Sequence, residues 1–212
     1  GNNAHVMALG ELAFGAAHGM RDFVVVSLGS GMGSCIFSNG IVHLGANGFA
    51  GEIGHTCYKP VGRQCGCGKL GCLEAYTAWR GILLTAQEVM NESREPSKMR
   101  EMADLTPMTM IDLCNEGDPL AIETYRRTGC IMGEGLANYA SVIDPEALIL
   151  TGELVSTGKW LFGPMEESFE EHVFPNIRKH VKLMVSNLED KERDVLGASA
   201  LAWDVKEYSL FL

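Results

Sequence analysis

An α/β fold with a mixed sheet is the architecture this sequence predicts, on three observations. Two apolar runs, Phe23 to Leu28 and Ala147 to Leu150, do not alternate with polar residues and read as strands buried on both faces. Asn39-Gly40, between Cys35–Ser38 and Ile41–Leu44, is the preferred two-residue hairpin turn, so the first run opens a three-stranded meander. Long helical stretches follow, and the chain closes as strand, helix, strand, helix. Ligands of such sheets gather at loops beyond the strand ends, which singles out loops 29–34, 45–55 and 151–153.

The elements follow in order. Asn2 to Met20 reads as a helix, capped by Asn2 or Asn3, with Ala4, Met7, Ala8, Leu9, Leu12, Ala13 and Phe14 at helical spacing. Gly29-Ser30-Gly31-Met32-Gly33-Ser34 joins the first two strands. A glycine-rich turn after a buried strand can cradle phosphate, with Ser30 adding a hydroxyl donor; a tight glycine hairpin is the competing reading. It is neither a Walker loop nor a dinucleotide fingerprint, because no Gly-Lys-Ser/Thr follows and the next element is a strand. Gly45 to Gly51 is a loop of small side chains that can approach a ligand closely, and Asn47 can hydrogen-bond one.

Ala75 to Glu92 is helical, with Trp79, Leu83, Leu84 and Val89 as its buried positions. Asn91 to Pro107 reads as a polar surface excursion. Met108 to Asn115 and Pro119 to Val142 are helical, the second started by Asp118-Pro119. The small residues Gly129, Gly133, Gly135, Ala137 and Ala140 permit close packing, and Asp144-Pro145 ends the helix. Helix Gly158 to Val173, edge strand Val181 to Ser186 and helix Leu196 to Tyr208 complete the chain.

The stretch Gly51 to Glu74 carries the chemistry. Three cysteines, Cys65, Cys67 and Cys72, lie within eight residues, and His55 sits ten positions before the first. That is a full ligand set for one tetrahedral Zn²⁺ of the Cys₃His type, with Gly66, Gly68 and Gly71 letting the backbone turn. Cys57, two residues past His55, ranks behind the other three thiols as a ligand. Cys35, Cys114 and Cys130 sit among apolar residues and read as core thiols. Seven cysteines is an odd number, and no secretory signal precedes the chain, which argues against a disulfide framework and for the cytoplasm. Glu52 and Glu74 flank the ligands without being needed to complete them.

Composition sets bounds on this reading. At 46% hydrophobic, 212 residues form a sizeable core, and no apolar run is long enough to span a membrane. A formal net charge of −10 disfavours direct nucleic-acid contact by this segment. Gly1 reads as the remnant of a removed tag, in which case the chain starts inside a longer protein.

Gly51-Glu52-Ile53-Gly54-His55 followed by Cys-x-Cys-Gly-x-x-Gly-Cys-Leu-Glu closely resembles the signature of the ROK family of repressors and sugar kinases. Further segments resemble the family in the same order: Asn2 to Glu11, Leu28 to Gly33, and Asp144-Pro145-Glu146 through Gly152. The resemblance implies the large C-terminal lobe, residues 1–212, of an actin/hexokinase-like (ribonuclease H-like) protein whose N-terminal lobe lies outside this chain. It implies ATP-dependent phosphorylation of a hexose or N-acetylhexosamine hydroxyl, with Mg²⁺, by a protein that is a homo-oligomer. Sugar hydroxyls would meet Asn2, Glu52, His55 and Glu74, and Gly29, Ser30, Gly31, Gly33 and Gly152 would face the nucleotide. The zinc histidine would give one ring nitrogen to the metal and the other to the sugar.

The sequence departs from the family at two positions. The family's general base is an Asp where this chain has Asn3, and Glu153 stands where a glycine is preferred near the adenine. Three functions are therefore weighed. The first is the sugar-binding lobe of a glucokinase-like enzyme, favoured by the glycine loop. The second is the sugar-sensing domain of a transcriptional repressor, favoured by Asn3 and Glu153. The third is a zinc-stabilised interaction module, disfavoured by the paired Glu52 and Glu74.

Overall fold

The computed structural model describes residues 3–188, and Asn3 only by its backbone. Asn2 and the helix expected over 196–208 lie outside the described residues. The sheet has five strands: β1 (Phe23–Leu28), β2 (Met32–Ser38), β3 (Ile41–Val42), β4 (Ala147–Thr151) and β5 (Lys182–Val185). Their order is β3-β2-β1-β4-β5, antiparallel across the meander and parallel from β1 through β4 to β5. β2 begins three residues earlier than the sequence predicts, because Met32 pairs with Leu28 and only Gly29, Ser30 and Gly31 are left to turn. Asn39 and Gly40, at φ 56° and 81°, make the left-handed turn that fits the twist of β2 and β3.

β1 is apolar at every position but Ser27 because it divides two cores. Val24, Val26 and Leu28 face a large cluster of helices, and Phe23 and Val25 face the first helix, α1 (Asn3–Phe14). Phe23 stacks on its cross-strand partner Phe37 with centroids 4.6 Å apart. α1 presents Ala4, Ala8 and Leu9 to that side. It stops at Phe14, short of the expected Met20, where the Glu11 carboxylate reaches forward past the helix end to accept the Ala16 N–H at 3.0 Å.

The large core is built by α2 (Glu74–Thr77), α3 (Trp79–Glu92), α4 (Pro107–Asn115), α5 (Pro119–Ile143), α6 (Lys159–His172) and the short α7 (Pro175–Arg178). The expected helix over 75–92 is broken at Ala78, which is extended (φ −79°, ψ 171°). Its buried positions are Ile82, Ala86 and Val89, whereas Trp79, Leu83 and Leu84 are only half-buried. A Cβ on Gly129 would lie 2.6 Å from the Leu161 carbonyl, and one on Gly133 would collide with that of Met165. Those glycines let α5 and α6 touch backbone to backbone. No helix among the described residues is long and apolar enough to cross a membrane.

Two charged residues give testable contributions to this frame. Asp118 is buried and caps α5, accepting from Leu120 N at 3.0 Å and Ala121 N at 3.1 Å. It also accepts from Ser97 Oγ at 2.9 Å and Lys98 N at 2.8 Å, which ties the 93–106 excursion to α5 and seats Met99 in the core. Asp118→Ala is expected to lower stability by about 2 kcal/mol in urea unfolding, a lost cap plus stranded donors. Glu123, on α5, is held down to about 2 by the guanidinium of Arg126 and then by that of Arg127. Its folded value lies below the unfolded one, so its stabilisation is present above pH ~4.5 and is lost as pH falls toward ~2. With solvent screening, Glu123→Gln should remove about 1 kcal/mol at pH 7 and nothing at pH 2, measured as the pH dependence of unfolding.

Candidate functional site

The site is assembled at the carboxyl ends of β1 and β4, which run parallel and end side by side. Gly152, at φ 96°, follows β4, and a Cβ there would run into the Leu28 carbonyl; only glycine lets the two strand ends meet. The glycine turn after β1 is held from three directions. Gly29 N–H donates to Gly31 O at 3.0 Å, Trp79 N–H donates to Gly29 O at 3.0 Å, and Met32 N–H donates to Glu74 Oε2 at 3.0 Å. The break at Ala78 thus has a use, since it puts the first turn of α3 against this loop. Ser30 is exposed at the tip. A Cβ on Gly33 would lie 3.8 Å from that of Ala4, so the first turn of α1, which Asn3 begins, backs onto the same loop.

Glu74 links the glycine turn to the cysteine knot. Its Oε2 takes the Met32 amide, and its Oε1 lies 3.5 Å from Cys65 Sγ. The donor atoms of His55, Cys65, Cys67 and Cys72 all lie within 4.8 Å of one another. Cys67 Sγ is 3.6 Å from Cys72 Sγ, and Cys65 Sγ is 3.7 Å from His55 Nδ1. Thiolates at about 2.3 Å from a tetrahedral ion sit ~3.8 Å apart, so these separations fit the edges of a metal-binding tetrahedron. All seven cysteines are free. Cys57 is exposed and outside the cluster, which agrees with its lower rank as a ligand.

The knot is shaped by its backbone. Cys65 N–H donates to Lys69 O at 2.9 Å and Gly68 N–H to Cys65 O at 3.1 Å. Gly68 and Gly71 hold φ 92° and 74°, whereas Gly66 stays out of the left-handed region. Two core thiols are as expected, since burial pushes Cys35 and Cys114 up to about 12. Cys130 is only half-buried, 3.9 Å from Arg126 Nη1.

Having turned Nδ1 to the thiols, the His55 ring sets Nε2 3.9 Å from Glu52 Oε2. Both side chains are open to solvent, His55 at 34% and Glu52 at 42% exposure. A ring fixed on one nitrogen by a metal carries its proton on the other. The result is a hydrogen-bond donor, His55 Nε2, beside an acceptor, Glu52, a pairing suited to polyhydroxylated ligands. Asn47 is exposed in the preceding loop, whose end is tied to β2 when Ser34 Oγ donates to Gly51 O.

Arg63 and His5 contribute to the site in ways the sequence did not disclose, and Glu153, singled out there, takes a definite place. Arg63 staples the knot to the α2–α3 break, donating to Gly81 O at 2.8 Å, Thr85 Oγ1 at 3.0 Å and Glu88 Oε2 at 2.7 Å while lying 4.6 Å over the Tyr76 ring. His5, in the first turn of α1, is kept below the usual imidazole range chiefly by burial, with the Glu52 charge pulling the other way. Glu153 reaches back toward the glycine turn, its Oε2 3.6 Å from where a Cβ on Gly29 would be. An arginine between Gly62 and the first cysteine was the available signal for Arg63; the surroundings of His5 depend on contacts distant in sequence.

A family model described as ROK family matches residues 1–205. The chain is 30% identical over 210 residues to a glucokinase of Halalkalibacterium halodurans, covering 97% of this chain and 62% of that protein. It is 32% identical over 202 residues to the DNA-binding transcriptional dual regulator NagC of Escherichia coli, covering 95% of this chain and 48% of that one. Among solved structures, a glucokinase from Streptomyces griseus in complex with glucose and AMPPNP superposes with TM-score 0.83 at 30% identity, over 93% of this chain and 66% of that one. A ROK transcriptional regulator homologous to the E. coli MLC protein gives TM-score 0.81 at 26% identity, over 93% and 50%. The chain therefore spans about half to two thirds of the length of these relatives.

Proposed function

This chain belongs to the ROK family, and we propose that it is the sugar-binding lobe of an ATP-dependent hexose or N-acetylhexosamine kinase of the glucokinase type. The observation that carries the proposal is the divided His55 ring, with Nδ1 among the thiols and Nε2 beside Glu52. We assign Zn²⁺ to the tetrahedral cluster, where it is structural: it holds the ring in one tautomer and the loop in one shape.

The chain's own residues then divide the work. His55 Nε2 donates to a sugar hydroxyl, and the carboxylates of Glu52 and Glu74 accept from hydroxyls, which reads the ring's stereochemistry. Asn47, exposed in the loop before Gly51, adds an amide contact, and the family resemblance assigns another to Asn2, which lies outside the described residues. ATP, when bound with Mg²⁺, supplies the phosphoryl group. The backbone of Gly29–Gly33 and of Gly152 faces its phosphates in this reading, and Ser30 offers a hydroxyl. Phosphoryl transfer rests mostly on positioning and charge stabilisation, part of which belongs to an N-terminal lobe.

A second function is favoured by two residues. Asn3 cannot take a hydroxyl proton at neutral pH, and Glu153 puts negative charge beside the glycine turn. Both suit a sensor that binds sugar without phosphorylating it, the sugar-reading domain of a ROK repressor. One experiment separates the two. The full-length protein is given glucose and N-acetylglucosamine, with binding read by calorimetry and turnover by ADP release. Binding with turnover supports the kinase; binding without turnover in either wild type or Asn3→Asp supports the sensor; no heat with any common hexose contradicts both.

A further inference from the structure

The glycine turn lies between two carboxylates, and only one of them has a partner in it. Glu74 spends its Oε2 on the Met32 amide. Glu153 approaches from the end of β4 and lies near Gly29, whereas Glu74 lies near Gly31. Its position is fixed by the backbone. Gly152 is forced against the Leu28 carbonyl, and a one-turn helix, Glu153–Thr157, is closed by Val155 N–H donating to Gly152 O at 3.0 Å and Ser156 Oγ donating to Glu153 O at 2.8 Å. The side chain is exposed, so it faces whatever enters the turn. The Gly29 and Met32 amides are already engaged, and those of Ser30 and Gly31 are what the turn can offer an anion.

We infer that Glu153 is a specificity-determining residue that weakens the turn's hold on phosphate and makes nucleotide binding depend on a divalent cation. The inference rests on the sugar-kinase reading above and goes beyond it by assigning discrimination to a single side chain. A carboxylate and a phosphate oxygen about 4 Å apart repel each other, and the repulsion is only partly screened at low salt. A divalent cation seated between them reverses the sign, because both are then ligands of the same charge.

The test titrates ADP into the full-length protein and its Glu153→Gln variant by calorimetry, with and without Mg²⁺, in low and high salt, with glucose or N-acetylglucosamine titrated in parallel. The inference predicts that without Mg²⁺ at low salt the variant binds ADP about tenfold more tightly than wild type. That gap should shrink to under about twofold at 1 M salt and vanish or reverse with Mg²⁺. Sugar affinity should be the same in both forms. Equal ADP affinities without Mg²⁺ at low salt overturn the inference. So does the absence of ADP binding in both forms while sugar still binds, since something other than Glu153 then bars the nucleotide and the sugar site stands. If neither form binds sugar, the parent reading falls and this one with it.

Discussion

Changing Asn3 to aspartate in the full-length protein is expected to raise sugar phosphorylation by about 10²–10⁴-fold, the usual worth of a positioned general base. Asn3 begins α1, whose first turn backs onto the glycine turn where Ala4 meets Gly33. A carboxamide there can orient a hydroxyl but cannot remove its proton, whereas a carboxylate of ordinary pKa is ionised at pH 7 and can. ADP release coupled to a spectroscopic signal measures the effect. The pH profile adds an independent readout, because the variant should lose its rate gain as pH falls through the carboxylate range. A rate unchanged by the substitution would show that the chain is not a kinase disabled at one residue, and would favour the sensor.

The second large effect belongs to the metal. If the four side chains hold zinc as proposed, Cys67→Ser, or chelation, is expected to lower bound zinc and stability together, by about 3 kcal/mol or more, because an ion held by them would close the loop between His55 and Cys72. Sugar affinity should fall about 10- to 100-fold with it, the cost of freeing a ring whose orientation the metal sets. Unfolding midpoints, metal analysis and sugar titration on the same preparations check the prediction. Zinc-free protein that keeps its stability and sugar affinity would remove the metal from the account. Conservative thiol loss elsewhere, such as Cys35→Ser in the core, should leave zinc content untouched.

The parts of this site that sequence disclosed are those encoded locally. The knot was legible because His55, Cys65, Cys67 and Cys72 lie within eighteen residues and a tetrahedral ion restricts such spacing. β1 was legible because burial on both faces leaves a strand with few polar positions, here only Ser27 near its end. The break at Ala78 was not, since no glycine or proline marks it; it is imposed by contacts from Gly29 and Arg63, residues 49 and 15 positions back. Glu153 likewise gains its meaning from the parallel pairing of β1 with β4, which brings Gly152 against Leu28. The early end of α1 coincides with the Glu11 side chain reaching past it to the Ala16 N–H, where apolar spacing carries no signal.

The measurement that bears most directly on the divided imidazole is a crystal structure of the full-length protein with N-acetylglucosamine or glucose, collected at the zinc absorption edge. The account predicts one anomalous peak bonded to His55 Nδ1 and the sulfurs of Cys65, Cys67 and Cys72, with sugar hydroxyls within hydrogen-bonding distance of His55 Nε2 and of the Glu52 and Glu74 carboxylates. No metal among those four side chains, or a sugar seated away from Nε2 and both acids, would contradict it.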